Sequence, residues 1–132
     1  MGRACVGSGQ ARATRASFPH LSPPSKREAL VLRHRYDARQ MTLIRRGFVP
    51  QGSDDRWFAW FEDQPGGGTL HLIRSWTGSQ IYALDFTDGP VDGAMLTGGW
   101  VSRDSAVYVG DTAAEEAQAA LELLTILLLD RP

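Results

Sequence analysis

Cysteine is almost missing from this chain: of 132 residues only Cys5 is one. A lone thiol has no intrachain partner, so a disulfide framework is excluded and a reducing cytoplasm is the expected compartment. Long apolar runs are missing from the N-terminal part as well. The longest one within residues 1–40 is the Ala-Leu-Val-Leu at 29–32, short of the roughly seven to fifteen residues of a secretory h-region, so a soluble chain that is not exported is expected. Histidine is scarce. His20 and His34 fall in the basic N-terminal part, and beyond residue 40 there is only His71. With no Cys or second His at ligand spacing, no zinc site is expected. Asp88, Gly89, Asp92 and Gly93 lack the regular spacing and terminal Glu of a calcium loop and read as turn residues.

Charge is divided unevenly. Residues 1–40 carry eight Lys and Arg against Glu28 and Asp37, whereas residues 41–132 carry six Arg against thirteen Asp and Glu. The first segment is also rich in Ser, Ala, Gly and Pro, and too little apolar surface is on hand to offset the entropy of ordering it. The expectation is therefore two parts: a disordered basic extension over 1–40 and a small domain over 41–132. Met41 is a candidate native start, the extension having been drawn from an upstream one. A transit peptide and a basic arm for nucleic acid are competing readings, and the scatter of the arginines argues against the arm.

The folded part is organised around residues 57–86, where three short aromatic and branched runs are separated by two turn segments, as in an antiparallel meander. Residues 41–50 read as a short edge strand or a lead-in, broken by Gly47 and Pro50. In the first strand, 57–62, Trp57, Ala59 and Phe61 share one face and Phe58, Trp60 and Glu62 the other. Pro65 and Gly66 to Gly68 follow as a flexible hairpin loop. A phosphate-cradling loop would need a helix after it, and a strand follows instead. The second strand, 69–75, is returned by a tight link in which Gly78 takes positive φ. In the third, 79–86, Ile81 and Ala83 face one side and Tyr82, Leu84 and Phe86 the other. A fourth, 94–102, is weakened by Gly98 and Gly99 and so expected to be bulged or short.

Thr112 and Glu115 form a capping box, and Glu115 and Glu116 place negative charge at the positive end of a helix dipole. The helix runs over 113–129 with Ala117, Leu121, Leu124 and Leu128 on one face. Its leucine-rich half is apolar nearly all round yet too short to span a bilayer, which leaves apolar side chains for a second surface and suggests a homodimer through Leu121 to Leu129. The fold class expected is α+β: a small antiparallel sheet of three to four strands with one C-terminal helix packed on it.

No catalytic motif of high specificity is present, and no cofactor is implied. The densest polar and aromatic group is Arg74-Ser75-Trp76-Thr77-Gly78. Arg74 and Trp76 are two residues apart and would share a side in extended backbone. There a guanidinium could stack on an indole or take a phosphate or carboxylate bidentately, with Tyr82 nearby. The competing reading, which the sequence favours, has Arg74 packed along a Trp and paired with Glu62 or Asp63. His71 projects to the side opposite Arg74 and reads as a half-buried strand histidine. A hydrolase would need it as a base, with Ser75 and Asp85 the only partners to suggest.

Trp57, Phe58, Glu62 and Asp63, then Arg74 to Gly78 with Ile81 and Tyr82, then Val101, Arg103 and Asp104, and last the leucine-rich helix form a series. In that series residues 41–132 resemble a small bacterial domain to which no activity is assigned. Such domains occur alone or beside macrodomains and ADP-ribosylglycohydrolases, so the resemblance implies an association with ADP-ribose metabolism. Three functions follow as expectations: a non-enzymatic binding or accessory module for ADP-ribose or a nucleotide, with its site at Arg74, Trp76 and Tyr82; an interaction subunit dimerising through its helix; and a hydrolase dependent on His71.

Overall fold

The computed structural model describes residues 12–18 and 21–130. Its centre is one antiparallel sheet of six strands: β1 (Arg27–Leu30), β2 (His34–Tyr36), β3 (Trp57–Gln64), β4 (Gly67–Arg74), β5 (Gln80–Asp88) and β6 (Ala94–Ser102). The order across it is β1-β6-β5-β4-β3, with β2 pairing the other end of β6. The α+β class holds, and the sheet is larger than three or four strands. The two extra strands come from the segment read as a disordered extension. Residues 1–11, 19 and 20 of that segment lie outside the described residues, but Arg27 to Leu30 pair with Ser102 to Gly99 and His34 to Tyr36 with Leu96 to Ala94.

The division at Met41 is corrected in the same way. Met41 sits fully buried inside α1 (Ala38–Arg46), not at the start of an edge strand. Asp37 caps this helix by accepting from the Gln40 N–H at 2.8 Å, while Gln40 Oε1 accepts from the Asp37 N–H at 2.9 Å. That capping box straddles the supposed boundary, and dividing the chain there hides it. Gly47, at φ 70°, ends the helix.

Gly66 is the only glycine of the triplet in a turn, at φ 80° after Pro65, the residue pair a type II turn favours. Gly67 and Gly68 belong to β4, where a side chain at Gly68 would strike the Phe61 ring and the Glu62 carbonyl. These two glycines serve close packing across strands, and the loop is a two-residue turn. Gly78 has positive φ as expected, at 76°. β6 keeps all nine residues, with a bulge opposite Asp85 and Phe86. A second bulge opposite Leu72 and Ile73 absorbs Ile81, so that Ile81 and Tyr82 both enter the same core.

α1 and α2 (Ala113–Leu124), whose end widens into a π-helical turn over Thr125–Leu129, contribute to one core with Leu70, Leu72, Leu84, Leu96 and Val101 from the sheet. Thr112 and Glu115 make the expected cap. Leu124, Leu127 and Leu128 are consumed by this core, leaving Ile126 as the large exposed apolar residue of the helix end. The opposite face of the sheet has a smaller core of Phe58, Ile73 and Ala13, packed against Phe18, Leu21, Val49 and Trp60. Residues 12–18 and 21–22 therefore act as a strap, held by the Ala13 N–H on the Arg46 carbonyl at 2.8 Å and a parallel bridge between Ser22 and Ser79. Among the described residues no helix is long and apolar enough to cross a membrane.

Candidate functional site

At the end of the β3–β4 ladder Trp57 lies opposite Arg74, and the Ser75 N–H donates to the Arg56 carbonyl at 2.9 Å. The pairing thus continues one step past the strands. It sets Arg56 and Trp57 beside the turn of Ser75 to Gly78. Arg56, Trp57, Arg74, Trp76 and Thr77 line a cleft of about 330 Å³.

Two guanidiniums are held in this cleft by ring faces. The Arg74 Cζ lies 5.0 Å from the centroid of Tyr108 and 5.9 Å from that of Trp57. The Arg56 Cζ lies 5.1 Å from the centroid of Trp76. Trp76 is 66% exposed, and its indole N–H is pinned by the Ser53 carbonyl at 2.9 Å, so the exposed plate has a fixed edge. Arg74 and Trp76 do line one cleft, but it is Arg56 that stacks on Trp76.

The alternative of an ion pair is not realised: Glu62 is taken by His71 at 2.9 Å and Asp63 by Arg12 at 3.0 Å. Among the described residues neither Arg56 nor Arg74 has a carboxylate within 4.0 Å or a side-chain hydrogen bond. A ring face offers a guanidinium no oxygen acceptor, so N–H groups of both arginines stay free to bind an oxyanion.

Tyr82 is placed differently from the expectation. It is 3% exposed and does not line the cleft. Its ring stacks beneath Trp57 with centroids 6.3 Å apart, and its hydroxyl donates to Glu116 Oε1 at 2.5 Å. Tyr108 donates to the same carboxylate at 2.8 and 2.9 Å, and the Asp111 N–H at 2.8 Å. Burial alone would raise the Glu116 carboxyl; the donors, Tyr82 first, outweigh it and hold it below the usual carboxylate range. Burial, followed by donation to that anion, pushes the Tyr82 phenol far up. The Tyr108 phenol is raised mainly by burial.

Arg56, Trp57, Tyr108 and Glu116 are the residues that sequence reading missed. One signal for Glu116 was available. It precedes Ala120 and Leu124 at steps of four, placing it on the buried stripe of α2, whereas Glu115 caps. Nothing in the spacing marks Tyr108, which reaches the site from a loop.

On the other face of β4, His71 stacks on Trp60 with centroids 4.5 Å apart. Its Nε2 is 2.9 Å from Glu62 Oε1, and its Nδ1 is 2.7 Å from the Gln80 amide nitrogen. That amide also donates to the Tyr82 carbonyl at 3.2 Å, which fixes the atom facing the ring: Nδ1 accepts and Nε2–H donates. Ser75 donates to the Asp55 carbonyl at 2.6 Å, and Asp85 accepts from Thr69 at 2.9 Å. The structure does not bring Ser75 and Asp85 to His71. Among the described residues no group of three or more His, Cys, Asp and Glu could hold a metal ion.

No family model, no curated protein and no solved structure matches this chain.

Proposed function

We propose that this domain is a non-enzymatic binding module whose cleft takes an anionic ligand with a flat ring, a nucleotide, with ADP-ribose the first to test. The observation that carries the reading is the pair of guanidiniums, Arg56 and Arg74, stacked on rings in one cleft without a carboxylate partner among the described residues. A phosphate would bind their in-plane N–H groups. The exposed indole of Trp76 supplies a plate for a base or ribose, and the cleft's volume lies within the range of small-molecule sites. The resemblance of the Arg-Ser-Trp-Thr-Gly segment favours ADP-ribose within that class.

The test is an NMR titration that follows the indole signals of Trp57, Trp60, Trp76 and Trp100 with ADP-ribose, NAD and AMP. Saturable shifts of Trp57 and Trp76 are expected, and they should vanish in Arg74→Ala. If no indole moves at millimolar ligand, the nucleotide reading is wrong.

One observation favours the second reading, an interaction subunit paired through α2. Ile126 is 65% exposed and borders a groove of about 420 Å³ with His34, Tyr36, Leu121 and Thr125. Sedimentation equilibrium of the wild type and of Ile126→Glu decides it: a dimer that the variant dissociates supports the reading, and a monomeric wild type removes it.

A further inference from the structure

Glu116 belongs to no ligand-facing surface, yet it is the best-connected side chain near the cleft. It is 1% exposed, and both its oxygens accept hydrogen bonds. The loop before α2 is pressed onto it, since a side chain at Gly110 would strike Glu116 Oε2. Within that loop Val107 and Val109 point into solvent while Tyr108 between them turns inward to the carboxylate. The far side of the Tyr108 ring system carries the chain to the site, because the Arg74 guanidinium lies over its face at 5.0 Å.

The sequence of contacts is thus carboxylate, phenol hydroxyl, ring face, guanidinium. A phenol that donates to an anion has a more electron-rich ring, and a cation over that face is held more firmly. Trp57, stacked on Tyr82, forms the second side of the same clamp, and Tyr82 also ends on Glu116. Both rings that hold Arg74 therefore depend on one carboxylate. Arg56, on Trp76, does not.

We propose that Glu116 is the positioning residue of the cleft: through Tyr108 and Tyr82 it fixes the Arg74 guanidinium over the faces of Tyr108 and Trp57 and keeps N–H groups available to the ligand. The proposal takes the cleft as the binding site, and its main readout needs no ligand. In the full chain, ¹⁵N relaxation of the Arg Nε–H groups is compared among wild type, Glu116→Gln and Tyr108→Phe. The Arg74 signal is expected to become mobile in both variants while the Arg56 signal stays as it was. The Kd for ADP-ribose should rise roughly fivefold to tenfold.

A carboxylate that only stabilises the fold would lower the melting temperature in Glu116→Gln and leave Arg74 relaxation unchanged, and that result overturns the proposal. Should Glu116→Gln fail to fold, Tyr108→Phe carries the test, since it keeps the ring and removes only the link. A wild type that binds no ADP-ribose overturns the binding reading, and the relaxation data still decide the part played by Glu116.

Discussion

The two faces of β4 each carry a polar cluster, and the two differ in what is left over. On one face His71 has both ring nitrogens bonded and its ring covered by Trp60. On the other, Arg74 is held by the faces of Tyr108 and Trp57, and its N–H groups have no partner among the described residues. Both clusters contain an aromatic ring, a nitrogen base or cation, and a nearby carboxylate. Only the second keeps donors for something else. The difference is one of geometry: stacking occupies a π face, and hydrogen bonding occupies the edge that a ligand would need.

The contrast is broken most completely by removing what closes the His71 face. A chain starting at Met41 loses the strap, β1, β2 and the Asp37 cap, exposing Phe58 and Ile73. We expect no cooperative melting transition by circular dichroism. Next in size, Phe58→Ala empties a fully buried site under the strap and should cost about 3–5 kcal/mol in urea unfolding. His71→Ala leaves Glu62 and Gln80 without their shared partner. It should cost roughly 1–3 kcal/mol while the Kd for ADP-ribose stays unchanged. Arg74→Ala is the mirror case. Its stability should change by less than about 1 kcal/mol, and nucleotide binding should weaken by about tenfold or more, measured by calorimetry. A large loss of stability with no effect on a ligand would instead place Arg74 with His71 as a structural residue.

The smallest effect expected is on the pH profile. Glu116 has its carboxyl lowered in the folded state, so its contribution is present above the ordinary carboxylate range and fades as pH falls through the lowered value. Burial pushes the Tyr36 phenol up to about 12, so its contribution is full below about 10 and is lost as pH rises between those values. Glu116→Gln should flatten the acid limb of a stability profile and weaken the part of the alkaline limb that comes from Tyr82 and Tyr108, which the anion helps to raise, while the Tyr36 part stays in place.

Much of the architecture was legible because it rests on local signals. The alternation in β3 and β4, the positive φ at Gly78 and the Thr112 capping box all follow from residues within a few positions of one another. Misreadings arose where a remote partner decided the outcome. In the basic segment the apolar run at 29–32 is too short to announce a strand by itself, and Arg27–Leu30 and His34–Tyr36 become strands because β6 offers them an open edge. Gly67 and Gly68 read as a loop because the Phe61 ring and the Phe86 backbone, which crowd them, come from other strands.

The candidate site divides along the same line. Arg74 and Trp76 stood out as a dense motif, and the cleft includes both. Tyr82 does share a face with Leu84 and Phe86, as strand alternation has it, but alternation gives no information on depth, and Tyr82 lies in the core beneath the cleft. Arg56, Tyr108 and Glu116 come from three separate segments with no shared spacing. By itself, then, the sequence determined the α+β class, the hairpin meander and the start of α2, since period and capping act within a turn or a strand. Only tertiary structure decided which polar groups would consume one another and which would be left free. That outcome depends on partners brought together from distant parts of the chain, and a buried carboxylate such as Glu116 is stable only once all of its donors have arrived.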